Sequence, residues 1–430
     1  MNRYLTRIMA ATLITGLAAC GGLPSAEAGP AAPNAVTEWA SIIQPSIHSA
    51  NEPRPPGSAE VLHTIIHLAV YNAVVAIEGG YEPYKKPVQA PQGADLTAAV
   101  ATAAYRAARG RVAQSQFAYL DEQYASYMKG IPAGRAKIDG IEVGEAAAAG
   151  ILALREGDGF ANPVDYQCSA TPPPAGEFEP DGGCGTQPVD AKIAQVTPFT
   201  FNDPAQFRPD GPDALTSNKW VEDFNEVKDY GRADSSVRTK EQTDLVYFWS
   251  EHGYVHWNRN LINLAIARDL GVVDTARLFA MAHTAASDAA IAGFDAKYFF
   301  RVWRPRTAIP RAAEDGNPGT EPDPTWAPLL KVNHPEYPAG HAFFSTALTE
   351  AVAKFFGTDK VEWTIETSQA AVPQVVQTKR TYKSFKALMD DVDDARVWAG
   401  LHYRNSMRDG ATIGSQVAKH VAKNYFGEIG

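Results

Sequence analysis

Hydrophobic and polar positions follow a helical period along most of the chain. Val61, Ile65, Leu68, Ala69 and Val75 fall on one face of such a helix. Ala-rich segments at about 95–110 and 134–156 predict two more helices. The same period predicts further helices at 219–230, 238–250, 256–269, 274–300, 342–356, 384–397 and about 407–425. Convincing alternating strands are nearly absent, so the pattern predicts an all-α helical bundle.

Two segments depart from this pattern. Residues 158–217 are rich in Pro, Gly and Asp and predict a long irregular insert. Residues 20–35 are small and rich in Pro and Gly, which is typical of a flexible tether. We find no internal repeat and no second composition block, so we predict a single helical catalytic domain over 36–430.

The first residues are typical of an export signal. Arg3 and Arg7 flank a short apolar run that is too short to span a bilayer. The run ends in Leu-Ala-Ala-Cys at Cys20, which is similar to the lipobox of bacterial lipoproteins. We therefore predict a signal peptide over 1–19 and a lipid on Cys20, in a periplasmic or cell-envelope protein that touches the membrane only through this anchor. A plain secretory signal is the alternative.

Export would bring the other two cysteines, Cys168 and Cys184, into an oxidising compartment. Both lie among turn-forming residues of the insert, so we predict a local disulfide. In the chain-entropy model it would stabilise the fold by about 3 kcal/mol. The alternative is two free thiols.

Composition narrows the range of partners. The chain has 39 Lys plus Arg against 49 Asp plus Glu, a formal net charge of −10. This balance argues against a nucleic acid or an anionic membrane surface as a partner. An anionic substrate would have to bind a local cluster of basic residues, because the molecule as a whole repels it.

Three such clusters lie in the last third of the chain. They are Lys297-x6-Arg304-Pro305, Pro338-Ala339-Gly340-His341 and Arg396-x5-His402. A solvated helix face is the ordinary explanation for the spacing of Lys297 and Arg304. Pro305, however, disfavours helix at the residue before it. The sequence thus predicts that the helix ends at Arg304 and that the guanidinium lies in a junction.

The other two clusters predict a site for an oxyanion. Gly340 and His341 precede an apolar helical run, so they should lie at a helix N-terminus, where unpaired backbone N–H groups bind anions. A capping or packed histidine is the alternative for His341. Gly400 predicts a helix break that lets Arg396 and His402 converge. One histidine could then bond the central atom of the anion while the other moves a proton.

In this order the clusters resemble the signature of the superfamily that joins vanadium-dependent haloperoxidases to type 2 phosphatidic acid phosphatases and bacterial acid phosphatases. The first motif matches in full, whereas Ala339 and Ala395 stand where the second and third motifs have serine. The resemblance covers roughly 36–430. The segments 199–207, 238–243 and 303–309 resemble the bacterial soluble haloperoxidases in their order.

The resemblance implies a helical bundle and a vanadate cofactor. It assigns the equatorial oxygens to Lys297, Arg304, Arg396 and the Gly340 N–H. By the same resemblance His402 ligates vanadium axially and His341 is the acid–base residue opposite it, with hydrogen peroxide and halide as substrates. An exported acid phosphatase is the alternative; it would need no cofactor, act on a phosphate monoester and form a phosphohistidine at His402. A catalytically quiet oxyanion-binding protein is the third reading.

Two positions bear on activity within this resemblance. Alanine at 339 loses a hydrogen bond to the anion, which costs on the order of 1.5–3 kcal/mol. His334 lies five positions before it, where the resembling bromide-type enzymes carry His and the chloride-type enzymes Phe. This implies oxidation of bromide and iodide rather than chloride, with an exposed loop histidine as the alternative. The sequence leaves the organic acceptor and the oligomeric state open.

Overall fold

The computed structural model describes residues 32–49 and 51–429. The predicted signal peptide, Cys20 and all but the last residues of the predicted tether lie outside these ranges. The described residues form thirteen α-helices: α1 (Ala35–Ile47), α2 (Pro56–Glu78), α3 (Leu96–Arg109), α4 (Phe117–Lys129), α5 (Arg135–Leu154), α6 (Asn218–Tyr230), α7 (Lys240–Phe248), α8 (Gly253–Ala267), α9 (Val272–Phe300), α10 (Pro305–Ala308), α11 (Gly340–Phe356), α12 (Phe385–Trp398) and α13 (Arg404–Asn424). The predicted all-α bundle is confirmed.

The helices pack as two groups that share a long contact. In the first group α2 packs against α3 and α5, and in the second α9 packs against α11 and α13. The two groups meet where α2 lies against α9. By length and composition α2 could cross a membrane, but 89% of its apolar window is buried inside the fold. It is therefore the central core helix rather than a helix with one apolar face.

Besides the short α10, three features were not predicted. α1 begins at the edge of the predicted tether, where Asn34 accepts hydrogen bonds from the N–H groups of Val36 and Thr37. α4 lies on the surface with few buried side chains. An antiparallel hairpin of β1 (Trp363–Glu366) and β2 (Lys379–Tyr382) follows α11. Its strands have four residues each, which is too short for a period of two to be recognised in the sequence.

The insert over 158–217 is irregular, as predicted, apart from two short 3₁₀ turns. The predicted disulfide between Cys168 and Cys184 is present, so the alternative of two free thiols is wrong. Asp288 of α9 binds the backbone of the insert: its carboxylate accepts from Phe199 N at 2.6 Å and from Thr200 N at 2.9 Å. The insert is thereby attached to the helix that carries Lys297.

The range 274–300 predicted from the helical period has the end of α9 correctly, whereas the inference from Pro305 that the helix ends at Arg304 places it four residues too late. The helix ends at Phe300, and Arg301 adopts a left-handed conformation with φ of 54°. The chain leaves the helix early because the insert pairs with it: Phe178 N donates to Arg301 O at 2.7 Å and Trp303 N donates to Gly176 O at 2.9 Å. Arg304 then caps the short α10, so its guanidinium does lie in a junction.

Candidate active site

The three basic clusters converge at one end of the second helix group. Lys297 comes from the last turn of α9, Gly340 and His341 from the first turn of α11, and Arg396 from the last turn of α12. His402 follows a turn in which Gly400 has φ of 76°, so the predicted helix break is confirmed. Around them lies a cavity of about 430 Å³. Its lining includes His334, Gly340, His341, Arg396 and His402, with Trp257 and Phe294 among the apolar walls.

Backbone carbonyl groups fix Lys297 and Arg304 in place. Lys297 Nζ donates to the carbonyls of Pro335 and Glu336, at 3.0 Å each. Arg304 donates from Nε to His334 O at 2.8 Å and from Nη1 to Leu401 O at 2.7 Å. Both side chains are almost fully buried. The two cations are therefore positioned by the loop before α11 and the turn before α13, rather than by acidic side chains.

The hydrogen bonds of His402 determine which ring nitrogen carries the proton. Arg304 Nη1 lies 3.3 Å from His402 Nε2, and because a guanidinium has no acceptor, Nε2 must carry the lone pair. The proton is then on Nδ1, which donates to Glu336 Oε1 at 2.8 Å. Burial, together with the positive charges of Arg304 and Lys297, lowers the pKa of His402 well below its usual value. His402 is thus a neutral imidazole at the cavity wall, with Nε2 unprotonated and accepting from Arg304.

Glu336 is a functional residue that the sequence analysis missed. Besides His402, its Oε1 accepts from Tyr403 N at 3.1 Å. Burial raises the pKa of this carboxyl group, although Arg304 and Lys297 oppose the rise. A histidine that binds a metal centre commonly donates its other N–H to a carboxylate. From this rule a carboxylate partner of His402 could have been expected, but only the fold shows that the carboxylate is Glu336.

Arg396 is the least satisfied cation of the site. Nη1 donates to Trp249 O at a long 3.4 Å, and Nε is buried without a partner. Burial, and then the charge of Arg304, lowers the pKa of Arg396 to about 9. Within the described ranges no carboxylate forms an ion pair with Arg396, Lys297 or Arg304. Three buried positive charges without acidic partners fit a bound anion, because isolated buried charges are costly.

The N-terminus of α11 completes the anion site. A Cβ on Gly340 would lie 4.0 Å from Lys297 Cε, so the missing side chain keeps the helix start open beside the cation. Ala339 is the residue before the helix, and its N–H is already taken by Ser406 O at 3.0 Å. The N–H of Gly340 belongs to the first turn of the helix, where backbone donors have no intrahelical acceptor. The open helix start and the Gly340 N–H fit the predicted anion cradle. Ala339 adds no side-chain hydrogen bond at this helix start.

His341 is half-buried, and its ring makes no hydrogen bond with any other described residue. It therefore neither caps the helix nor packs as a satisfied core histidine. Burial lowers its pKa well below the usual value, and the charges of Arg396, Lys297 and Arg304 act in the same direction. A neutral imidazole at the rim of a cationic cavity can accept a proton when an anion is bound.

His334 also belongs to the site, so the alternative of an exposed loop histidine is wrong. Arg304 Nη2 donates to His334 Nδ1 at 2.9 Å, and the ring packs against Phe294 with centroids 5.6 Å apart. The loop that carries it is held by the insert, because Val189 N donates to Asn333 O at 2.8 Å. The histidine thus lines the cavity at a fixed position.

Comparisons by sequence locate a known domain in the second helix group. Residues 277–428 match the family model of the "VCPO second helical-bundle domain". The vanadium chloroperoxidase of Curvularia inaequalis is 35% identical over 94 residues, which span 19% of this chain and 15% of that protein. The match to this relative therefore covers a small part of its length. The resemblance to vanadium haloperoxidases is confirmed in the region that carries all three motifs.

Comparisons by structure extend over most of the chain. A bacterial vanadium-dependent iodoperoxidase superposes with a TM-score of 0.74 at 21% identity, covering 92% of this chain and 95% of that one. A holo-type bacterial vanadium-dependent chloroperoxidase gives 0.72 at 17% identity, covering 93% and 98%. At these identities the likeness concerns the fold. The chain has the helical-bundle fold of these proteins.

Proposed function

We propose that this protein is a vanadate-dependent peroxidase that uses hydrogen peroxide to oxidise halide to hypohalous acid. The observation that carries the proposal is the set of three buried cations that form no ion pair in the described ranges, beside a neutral His402 that lines the cavity and whose unprotonated Nε2 accepts from one of them, Arg304. The domain match over 277–428 favours vanadate over phosphate as the anion.

In this proposal Lys297, Arg304, Arg396 and the Gly340 N–H hold the vanadate oxygens, and His402 Nε2 ligates vanadium. Bound vanadate supplies the activation of hydrogen peroxide toward attack by halide. The residues of the chain bind and orient the anion through charge-assisted hydrogen bonds. Glu336 keeps the proton on His402 Nδ1 and so keeps Nε2 available.

The role proposed for His341 is proton transfer at the rim of the cavity. In the overall reaction hydrogen peroxide, halide and one proton give hypohalous acid and water, so a proton must be delivered to the leaving oxygen. His341 has no competing hydrogen bond and lies on the first turn of α11 beside Gly340. His341→Ala should lose turnover while keeping most of the vanadate affinity. An equal loss of both would indicate a binding role instead.

The test of the function is peroxide-dependent halogenation of a phenol dye, with and without added orthovanadate, beside a phosphatase assay on the same preparation. We expect vanadate-dependent halogenation that disappears in His402→Ala together with vanadate binding. His420→Ala is the matched control, because His420 lies on α13 outside the cavity and bonds Thr200 O. Phosphatase activity without halogenation would support the alternative of an acid phosphatase. Vanadate binding without either activity would support a catalytically quiet oxyanion-binding protein.

We further propose that the halides oxidised are bromide and iodide rather than chloride. The support is His334, which is tied to Arg304 and makes the cavity wall more polar than an apolar ring would. Of the similar structures, one is an iodoperoxidase and others are chloroperoxidases, so the choice depends on this chain's own residues. Turnover with the three halides at matched concentrations, in the parent and in His334→Phe, measures the preference. Substantial chloride oxidation by the parent would contradict it.

Export with a lipid on Cys20 is also a proposal, and it depends on the apolar run and the Leu-Ala-Ala-Cys segment. Mass spectrometry of the mature N-terminus tests it. A chain that begins elsewhere, with no acyl mass on Cys20, would contradict the anchor.

A further inference from the structure

Three histidines form a second cluster, away from the cavity, in the interior between α2 and α9. We call His63, His67 and His283 the three-histidine cluster. All three are buried, and one ring nitrogen from each lies within 4.8 Å of the others. None of them lines the cavity described above. The proposed peroxidase chemistry gives this cluster no role.

The geometry of the cluster suits a metal ion. His63 and His67 are four residues apart on α2 and therefore share one face of that helix, opposite His283 on α9. Their Nε2 atoms are 3.2 Å apart. Two imidazole nitrogens bonded at about 2.0–2.1 Å to a tetrahedral zinc ion lie about 3.3 Å apart. The pair is thus already at the spacing that coordination requires.

Glu60 orients the third histidine. Its Oε1 lies 2.7 Å from His283 Nδ1, so Nδ1 donates and the lone pair of His283 is on Nε2. That Nε2 atom is buried and has no hydrogen-bond partner, and the same is true of Glu60 Oε2. Buried polar atoms normally find partners, and leaving one unpaired costs about 1–3 kcal/mol. A carboxylate behind a histidine is the usual outer arrangement of a metal site.

The buried charge of Glu60 also favours a bound metal ion at this cluster. Among the described residues, His283 is the only ion-pair partner of Glu60, which has no exposed surface. A divalent cation would give this carboxylate the counter-charge that a buried anion needs.

We propose that the three-histidine cluster binds one divalent transition-metal ion of the zinc type, with His63, His67 and His283 as ligands and Glu60 as the positioning residue behind His283. Imidazole ligands suit this class of ion. Tyr254 packs edge-on against His63, with ring centroids 4.9 Å apart, and its buried hydroxyl has no partner, which makes it a candidate for the fourth position.

The ion would join the two helix groups at their contact. His283 and Lys297 are 14 residues apart on α9, or about 21 Å along the axis, so this site is distinct from the anion cavity. Its role would be structural: it would fix α2 against the helix that carries Lys297.

The test uses the full-length protein without a histidine tag, expressed with added zinc. Elemental analysis should find one zinc per chain, and X-ray absorption at the zinc edge should find three imidazole nitrogens at about 2.0–2.1 Å. His67→Gln and His283→Gln should lose the zinc, whereas His420→Gln should keep it. Glu60→Gln should weaken zinc binding by about 10- to 100-fold.

His402→Ala should keep the zinc although it loses vanadate, so this inference and the proposed function can fail separately. A parent protein that holds no zinc after expression or refolding with the metal would overturn the proposal. So would bound zinc without imidazole ligands, or zinc that persists in folded His67→Gln. The cluster would then be a set of neutral, hydrogen-bonded core histidines. If a variant does not fold, the absorption spectrum of the parent decides.

Discussion

Ala339 lies directly before Gly340, at the start of α11, and its methyl group can donate no hydrogen bond to an anion. We predict that Ala339→Ser raises the affinity for orthovanadate by about tenfold or more, because a hydrogen bond to a charged group contributes about 1.5–3 kcal/mol. The hydroxyl would also cap α11, where the structure shows no side-chain cap. Isothermal titration of the parent and the variant with orthovanadate measures the change.

Ala395→Ser is the matched control for this substitution. Ala395 is equally buried and also stands where the resembling motif has serine, but the charged Arg396 beside it already contacts the site. Its affinity for orthovanadate should stay within about threefold of the parent's, which corresponds to less than about 0.7 kcal/mol. Equal effects of the two serines, or none from Ala339→Ser, would show that position 339 does not face the anion.

Among the individual site residues, those that belong to a spaced motif could be predicted from the sequence. Residues that only the fold brings together could not. Lys297, Arg304, His341, Arg396 and His402 stand in ordered clusters, so their convergence could be inferred. Glu336 reaches His402 across 66 positions of the chain. The three-histidine cluster joins α2 to α9 across 216 positions or more. A residue pair at such a distance leaves no local pattern.

The contact between α11 and α13 determines where Gly340 and His341 lie. Gly414 of α13 packs directly on α11: a Cβ there would meet the carbonyl oxygen of Phe343 and lie 2.9 Å from Ala347 N. We predict that Gly414→Ala lowers the free energy of unfolding by about 1–3 kcal/mol, because the backbone atoms cannot give way. Denaturant unfolding measures the loss, and weaker orthovanadate binding should accompany it.

Gly150 of α5 offers the matched control. It also lies inside a helix, but the nearest atom to an added Cβ would be Lys86 Cβ at an ordinary 3.7 Å. Gly150→Ala should therefore stabilise the protein by about 0.5–1 kcal/mol through helix propensity alone. A Gly414→Ala protein that is as stable as Gly150→Ala would mean that α13 can move away from α11 without cost.

Helices could be predicted where the helical period of apolar residues extends over many turns. Helix ends that tertiary contacts determine could not be predicted in this way. α9 and α11 came within a few residues of their observed bounds because their apolar pattern extends over many turns. The inference from Pro305 placed the end of α9 too late because backbone pairing with the insert, at Phe178 and Trp303, ends the helix before the proline does. α4 was missed because it buries few side chains and so shows little contrast between its faces.

For the whole molecule, the net charge of −10 stands against a small group of buried positive charges. The fold holds Lys297, Arg304 and Arg396 together through carbonyl groups of the loops, and without carboxylate partners in the described ranges. Such an arrangement favours ligand binding over stability, because the charges repel one another until an anion is present. The stability of the whole fold should therefore be linked to the occupancy of this one site.

Arg396→Met tests this linkage. Burial lowers the pKa of Arg396 to about 9, so the folded protein binds this proton less tightly than the unfolded chain does. The destabilisation is fully present at neutral pH and disappears only as the pH rises above about 9. We predict that Arg396→Met has a higher Tm than the parent without ligand, at pH 7. The parent should gain about 2.7 kcal/mol of stability at orthovanadate concentrations near 100 times Kd, and the variant should gain far less.

Arg155→Met is the control, because Arg155 is similarly buried but paired with Asp158, its Nε lying 2.9 Å from the carboxylate. Removing Arg155 leaves Asp158 with Arg111 alone, whose Nη2 lies 3.2 Å from the carboxylate, and also removes the hydrogen bond from Arg155 to Thr197 O. This variant should therefore be less stable than the parent with or without orthovanadate. Thermal unfolding of the three proteins, each with and without the anion, separates the two cases. If Arg396→Met loses stability as Arg155→Met does, the charge of Arg396 is already balanced within the fold, and the cation cluster has no need of an anion.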